Sequence, residues 1–179
     1  MTGLKMVCAG VLVLPVLWYV YRGDGKAGRR PPDRSAGTKA WVFPAAAILF
    51  FLYYMAVSML VDLSGLPEND AAFREAWGTD RISSGLLFLW GVVLAPVLEE
   101  LFFRGILLRK IERAAGTVPA VLITSLLFGL YHGNLSQGIA AAAAGLALGL
   151  AYVRTDALLV SVVMHAAVNT AAFLLRFQQ

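Results

Sequence analysis

Glu99, Glu100 and Arg104 stand inside one long apolar stretch of this chain, His132 inside the next, and His165 with Asn169 inside a third. Both histidines of the chain belong to this set. Successive residues of an α-helix turn by about 100°. Glu100 and Arg104, four apart, therefore share a face and can pair. Glu99 is rotated away from that pair and is free to face a polar cavity. A second carboxylate in apolar surroundings needs a partner that stabilises its charge, and a histidine would serve. The same four-residue step puts Phe128 and His132 on one helix face, and His165 and Asn169 on another. A carboxylate and a histidine facing one water can remove its proton. The resulting nucleophile can attack a peptide carbonyl, and the oxyanion that develops needs donors aimed at it. His165 and the Asn169 amide could supply two from one helix face. No serine or cysteine has to act as nucleophile: Ser125, Ser136 and Ser161 lie in or near apolar stretches, and none stands in Gly-x-Ser-x-Gly.

Two histidines and a glutamate are also the ligand set of many hydrolytic zinc enzymes. Zinc would make the nucleophile by activating a bound water. The chain has no His-Glu-x-x-His, and a metal leaves Asn169, a poor zinc ligand, without a role. The residue chemistry favours a reaction without cofactor, with zinc as the second reading. Each residue also has a bland explanation. A lone intramembrane histidine often hydrogen-bonds a neighbouring helix, an asparagine can join two helices, and Glu-Glu-x-x-x-Arg can be a structural network. These account for the residues one by one, not for their presence together.

The elements that must position them are membrane helices. Of 179 residues, 59% are hydrophobic and 15% charged, with mean hydropathy +0.72; soluble domains run near 45–50% and about 25%. The apolar residues come in blocks, and roughly 20 apolar residues span a bilayer. The fold class is therefore all-α, a polytopic membrane helix bundle of about six transmembrane helices. It is read as a single integral membrane domain over residues 1–179, without repeat or second domain. The blocks are 4–21, 40–63, 82–108, 117 to about 134, about 138–153 and 157 to about 177. The first ends in Trp18-Tyr19-Val20-Tyr21, an interface anchor. No small-x-small cleavage site precedes Arg22, so this block reads as a retained helix rather than a signal peptide. Pro119 lies in the first turn of the fourth block, where a missing N–H costs little. The fifth is rich in Ala and Gly, with Gly145 and Gly149 four apart, suited to close helix approach. Arg154-Thr155-Asp156 makes a tight turn.

Residues 22–39 carry a net charge of +4 and residues 64–80 a net −3, while Arg109, Lys110 and Arg113 follow the third block. The Lys/Arg bias puts 22–39 and 109–116 in the cytoplasm and 64–80 outside, with both termini outside. Asp62, Arg81 and Arg176 sit at span ends, within reach of the interface. Phe73 and Trp77 have helical spacing in the acidic loop, which fits an interfacial helix over the site or a solvated linker. At about 1.5 Å per residue, Glu99 lies roughly 14 Å from the cytoplasmic end of the third helix. On that scale His165 and Asn169 lie roughly 12 and 18 Å from the same end of the sixth, and His132 roughly 22 Å into the fourth. All four can converge if the helices pack together. The overall charge of +4 is loop charge and calls for no nucleic-acid partner. The single cysteine, Cys8, excludes an intrachain disulfide and a cysteine-rich zinc site.

Glu99-Glu100-x-x-x-Arg104, Phe128-x-x-x-His132 and His165-x-x-x-Asn169 resemble the three motifs of the CPBP family. These are the intramembrane CAAX-protease and bacteriocin-processing or immunity proteins, also called Abi. Order, spacing and placement on hydrophobic helices match over about residues 82–175, and the first 80 residues carry none of the resemblance. It implies a multi-helix membrane protease of glutamic type, in older descriptions a metalloprotease. In it Glu99 and His132 activate the water, His165 and Asn169 stabilise the oxyanion, and Glu100, Arg104 and Phe128 give structural support. With fewer spans than eukaryotic CAAX members, the chain is similar to small bacterial relatives. Those are implied to process C-terminal sorting signals, in systems of the JDVT-CTERM or MYXO-CTERM kind, or peptide precursors. The implied partners are the lipid bilayer and a membrane-anchored substrate with an apolar helix and a basic tail, approaching laterally. The implied location is the bacterial inner (cytoplasmic) membrane, as a multi-pass protein. Two other classes stand beside this one. One is a non-catalytic bacteriocin-immunity protein on the same scaffold, against which the intact motif set argues. The other is a proton-coupled transporter with Glu99 and His132 as a relay, against which the lack of inverted repeats and interrupted helix pairs argues.

Overall fold

The computed structural model describes residues 2–27 and 81–176, with positions 48, 52, 55–57, 59, 60 and 63–65. The span expected at 40–63, the basic loop after Arg22, Asp62, and the acidic loop with Phe73 and Trp77 lie wholly or largely outside the described residues. Among the described residues there is no strand, and the ordered elements are helices: α1 (Thr2–Ala27), α2 (residues 81–115), α3 (Thr117–Tyr131), α4 (Leu135–Thr155) and α5 (Leu158–Arg176). Leu4–Arg22, Ser84–Ala115 and Leu135–Thr155 are each long and apolar enough to cross a membrane, and Thr117–Tyr131 and Leu158–Leu174 are shorter apolar helices. The protein is a membrane helix bundle.

The boundaries differ from the sequence expectation where local chemistry decides them. The third apolar block was expected to end at Leu108, yet α2 continues through Arg109, Lys110 and Arg113 to Ala115. Arg, Lys and Ala are good helix formers, and the first residue to offer a stop is Gly116, with φ +88°. The hydroxyl of Thr117 donates to Glu112 across that break at 2.7 Å. The fourth block was expected to reach about Asn134 and the fifth to begin near Gly138. Instead α3 ends at Tyr131, Gly133 turns the chain with φ +75°, and the Asn134 side chain accepts from the Gln137 N–H at 2.7 Å. That side chain satisfies a free donor of the first turn, so α4 starts at once. Asp156, at φ +50°, closes α4 in the left-handed conformation.

α2 is one rod of five segments. Arg81–Phe88, Ala95–Glu100 and Arg109–Ala115 are α-helical; Leu89–Leu94 and Leu101–Leu108 between them are wider π-helical stretches. α3 and α4 form a close antiparallel pair. A methyl group on Gly129 would stand 2.5 Å from the Gly138 carbonyl, and one on Gly145 would stand 3.1 Å from Ser125 Cα. Absent side chains let these two backbones meet, as small residues do in membranes. Leu108, Ala120, Val121 and Tyr152 form the core where α2, α3 and α4 join, and Leu148, Val160, Met164 and Val168 the core between α4 and α5. At the end holding the α2–α3 and α4–α5 turns, Arg109 donates to the Tyr152 hydroxyl, lies 3.6 Å from Asp156 and covers the Tyr21 ring of α1 at 5.1 Å.

Candidate active site

Glu99 and Glu100 end the α-helical segment of α2 that lies between its two π-helical stretches. Glu100 and Arg104 are wholly buried. Arg104 Nη1 donates to Glu100 Oε1 at 2.8 Å, the pair that four-residue spacing anticipates. Two charges taken out of water cost several kcal/mol each, and only close pairing with further hydrogen bonds offsets this. The further bonds are present. Arg104 Nη2 donates to the Gly145 carbonyl of α4 at 3.0 Å, and its guanidinium lies 4.8 Å from the centre of the Phe128 ring of α3. Glu100 Oε1 also accepts from His165 Nδ1 of α5 at 3.0 Å. One buried ion pair thus ties α2, α3, α4 and α5 together.

His165 stands between the two carboxylates. With Nδ1 donating to Glu100, its Nε2 faces Glu99 Oε2 at 3.7 Å. Glu99 keeps 15% of its side chain exposed, so it borders the bundle rather than being sealed in it. The Phe128 ring organises both histidines: His132 meets it edge-on at 4.8 Å and His165 at 5.6 Å. Phe103 buttresses the same ring at 5.1 Å. His132 caps the C-terminus of α3, and its Nδ1 lies 2.8 Å from the Phe128 carbonyl. A carbonyl only accepts, so Nδ1 carries the hydrogen, and in the neutral ring Nε2 is left with a lone pair. One helical turn beyond His165, Asn169 Nδ2 donates to the Gly91 carbonyl in the first π-helical stretch at 2.7 Å.

All seven residues singled out from the sequence are among those described. Glu99, Glu100, Arg104 and His165 form a contact chain, and Phe128 joins His132 to it. Asn169 reaches α2 through Gly91. The direct partner of Glu99 is His165. Sequence reasoning missed the two backbone carbonyls, Gly91 and Gly145, and the buttress Phe103; Pro96 is the one signal that points to the first. Ser161 is buried, donates to the Leu158 carbonyl at 2.9 Å and lies beside Glu100, a helix-bonded hydroxyl rather than a nucleophile. Among the described residues no three His, Cys, Asp or Glu side chains come together in a way that could hold a metal ion. Both histidines have Nδ1 hydrogen-bonded, which leaves Nε2 of each for other contacts, and the Asn169 amide nitrogen faces a carbonyl. The set suits proton transfer: the Glu99 carboxylate faces one imidazole, and both imidazoles meet the Phe128 ring.

Residues 81–171, half of the chain, match the family described as type II CAAX prenyl endopeptidase Rce1-like. Over 93 residues the chain is 27% identical to the Bacillus subtilis (strain 168) protein named "Putative membrane peptidase YdiL". That match covers 52% of this chain and 38% of the relative, well under half of its length. No solved structure matches. The matched residues run from the start of α2 into α5 and include every residue of the site.

Proposed function

The chain belongs to the Rce1-like CAAX endopeptidase family, a membrane protein of a peptidase family, and from this we propose that it is an intramembrane endopeptidase of glutamic type. Its substrate is a membrane-anchored protein or peptide precursor, cut near its transmembrane segment. The observation that carries the reading is His165 held between Glu99 and Glu100, with His132 on the same Phe128 ring.

Glu99 and His132 take a proton from a water as its oxygen bonds to the scissile carbonyl carbon. The carbonyl π-electrons move to oxygen, and the oxyanion is met by His165 and by the Asn169 amide hydrogen that Gly91 leaves free. The C–N bond then breaks, and the proton taken from water passes to the departing amine. Water has been split between the two products and the site returns to its starting state. Glu100 and Arg104 touch none of the reacting atoms; they hold the His165 ring.

A site on the side of a helix bundle suits a substrate helix arriving laterally. Sorting-signal precursors with an apolar helix and a basic tail have that form. In this reading the protein is multi-pass in a bacterial inner membrane, with the α2–α3 and α4–α5 turns cytoplasmic. The test is processing in cells that co-express the chain with a single-span precursor bearing a basic tail. Glu99→Gln and His132→Ala abolish the size shift of the precursor at unchanged expression. Normal processing by both variants sinks the proposal, and an immunity phenotype that survives Glu99→Gln favours a non-catalytic protein.

A further inference from the structure

Asn169 owes its place to a gap in the hydrogen-bond ladder of α2. In an α-helix the Gly91 carbonyl would accept from the N–H of residue 95. Here the Ala95 N–H bonds the Trp90 carbonyl, five residues back, in the π-helical pattern. That pattern would pass the Gly91 carbonyl to the N–H of residue 96. Residue 96 is proline, which has no N–H. Both helical donors are therefore withdrawn, and the Gly91 carbonyl accepts from Asn169 Nδ2 instead. The π-helical stretch and the proline belong together. A proline ring clashes with the carbonyl four residues back in an α-helix, and the wider turn of Leu89–Leu94 relieves it. The Pro96 side chain is fully buried, so it faces no substrate of its own.

We infer that Pro96 is a positioning residue for Asn169: by lacking an N–H it leaves the Gly91 carbonyl open, and that carbonyl fixes the Asn169 amide. The assignment rests on the endopeptidase reading, in which Asn169 meets the oxyanion. An amide nitrogen carries two hydrogens. Gly91 takes one, which sets the plane of the amide and the direction of the other. Pro96 lies three residues before Glu99, about one turn along α2. The base and the oxyanion donor are thereby registered to each other through a single turn of one helix, with α5 tethered to it.

The test reads the tether directly. The chain has three asparagines, Asn69, Asn134 and Asn169, so [15N]Asn labelling of the full protein in nanodiscs gives three side-chain amide pairs. Loss in Asn169→Ser assigns the relevant one. In the unaltered chain the Asn169 amide exchanges slowly with solvent. Pro96→Ala restores an N–H that competes for the Gly91 carbonyl; the Asn169 signal shifts and its exchange quickens, while Asn134 stays put. Pro96→Val, which keeps more of the buried volume, does the same. An Asn169 signal unmoved in both variants overturns the inference. In cleavage assays Pro96→Ala lowers kcat about tenfold at constant KM. In an Asn169→Ala background it changes kcat less than about twofold, whereas an equal loss in both backgrounds also overturns it. A shifted signal in a chain that cleaves nothing keeps the tether and removes the endopeptidase reading alone.

Discussion

At Arg104 a full positive charge lies out of solvent between Glu100, the Gly145 carbonyl and the face of Phe128. Removing it strands the Glu100 carboxylate. Arg104→Ala is expected to destabilise the protein by about 3–5 kcal/mol, read as a fall in melting temperature in detergent. Arg104→Lys recovers only part of this, because one ammonium cannot reproduce the planar fork that serves Glu100 and Gly145 together. A melting temperature unchanged in Arg104→Ala contradicts the account of the ion pair. The pair itself was legible in the sequence because its partners are one helical turn apart. His165 Nδ1 to Glu100 was not, since 65 residues separate the partners and only the packing of α5 on α2 joins them. The anchor of Asn169 was hidden for a different reason: a backbone carbonyl has no letter in the sequence.

The helices themselves constrain how tightly these residues can be held. α3 carries Phe128 and His132, and it is fixed to α4 where Gly129 faces the Gly138 carbonyl. A methyl group there meets backbone at 2.5 Å, and backbone cannot swing aside. Gly129→Ala is expected to push α3 from α4 and cost about 1–3 kcal/mol, with cleavage falling as His132 moves. Gly85 in α2 has nothing within 4 Å of the same position. Gly85→Ala therefore gains about 0.4–1 kcal/mol from lost unfolded-state freedom. Chemical denaturation of both variants in one detergent checks the pair, and equal effects contradict it. Apolar blocks gave away the existence of these helices, as length and hydropathy do. They did not give away the π-helical stretches of α2, because a run such as Leu89–Leu94 is apolar on every side and carries no period. The Asn134 cap was hidden at the expected end of the fourth block, because its residue type suits a helix end or a helix start until the Gln137 N–H is seen to bond it.

Over the whole molecule, charge separates into two populations. Lys and Arg cluster in sequence segments outside the apolar blocks, and a small neutralised set sits in the bundle where four helices meet. α1 lies outside the family match yet packs on α2. A methyl group on Gly10 would stand 2.7 Å from the Trp90 ring, and one on Gly105 would stand 2.9 Å from the Tyr21 ring. It thus braces both π-helical stretches, the parts of α2 on either side of the two glutamates. The sequence segment before residue 81 offered no motif from which this could be read; it follows from packing alone. The account as a whole stands on hydrolysis by a water that Glu99 activates without metal. The most direct measurement is cleavage by purified protein in liposomes, with a reconstituted single-span peptide bearing a basic tail and with chelator present. The unaltered chain is expected to cleave it at full rate in chelator, and Glu99→Gln, melting at the same temperature, to cleave at least about a hundredfold more slowly. Cleavage that survives Glu99→Gln, or that chelator removes, contradicts it.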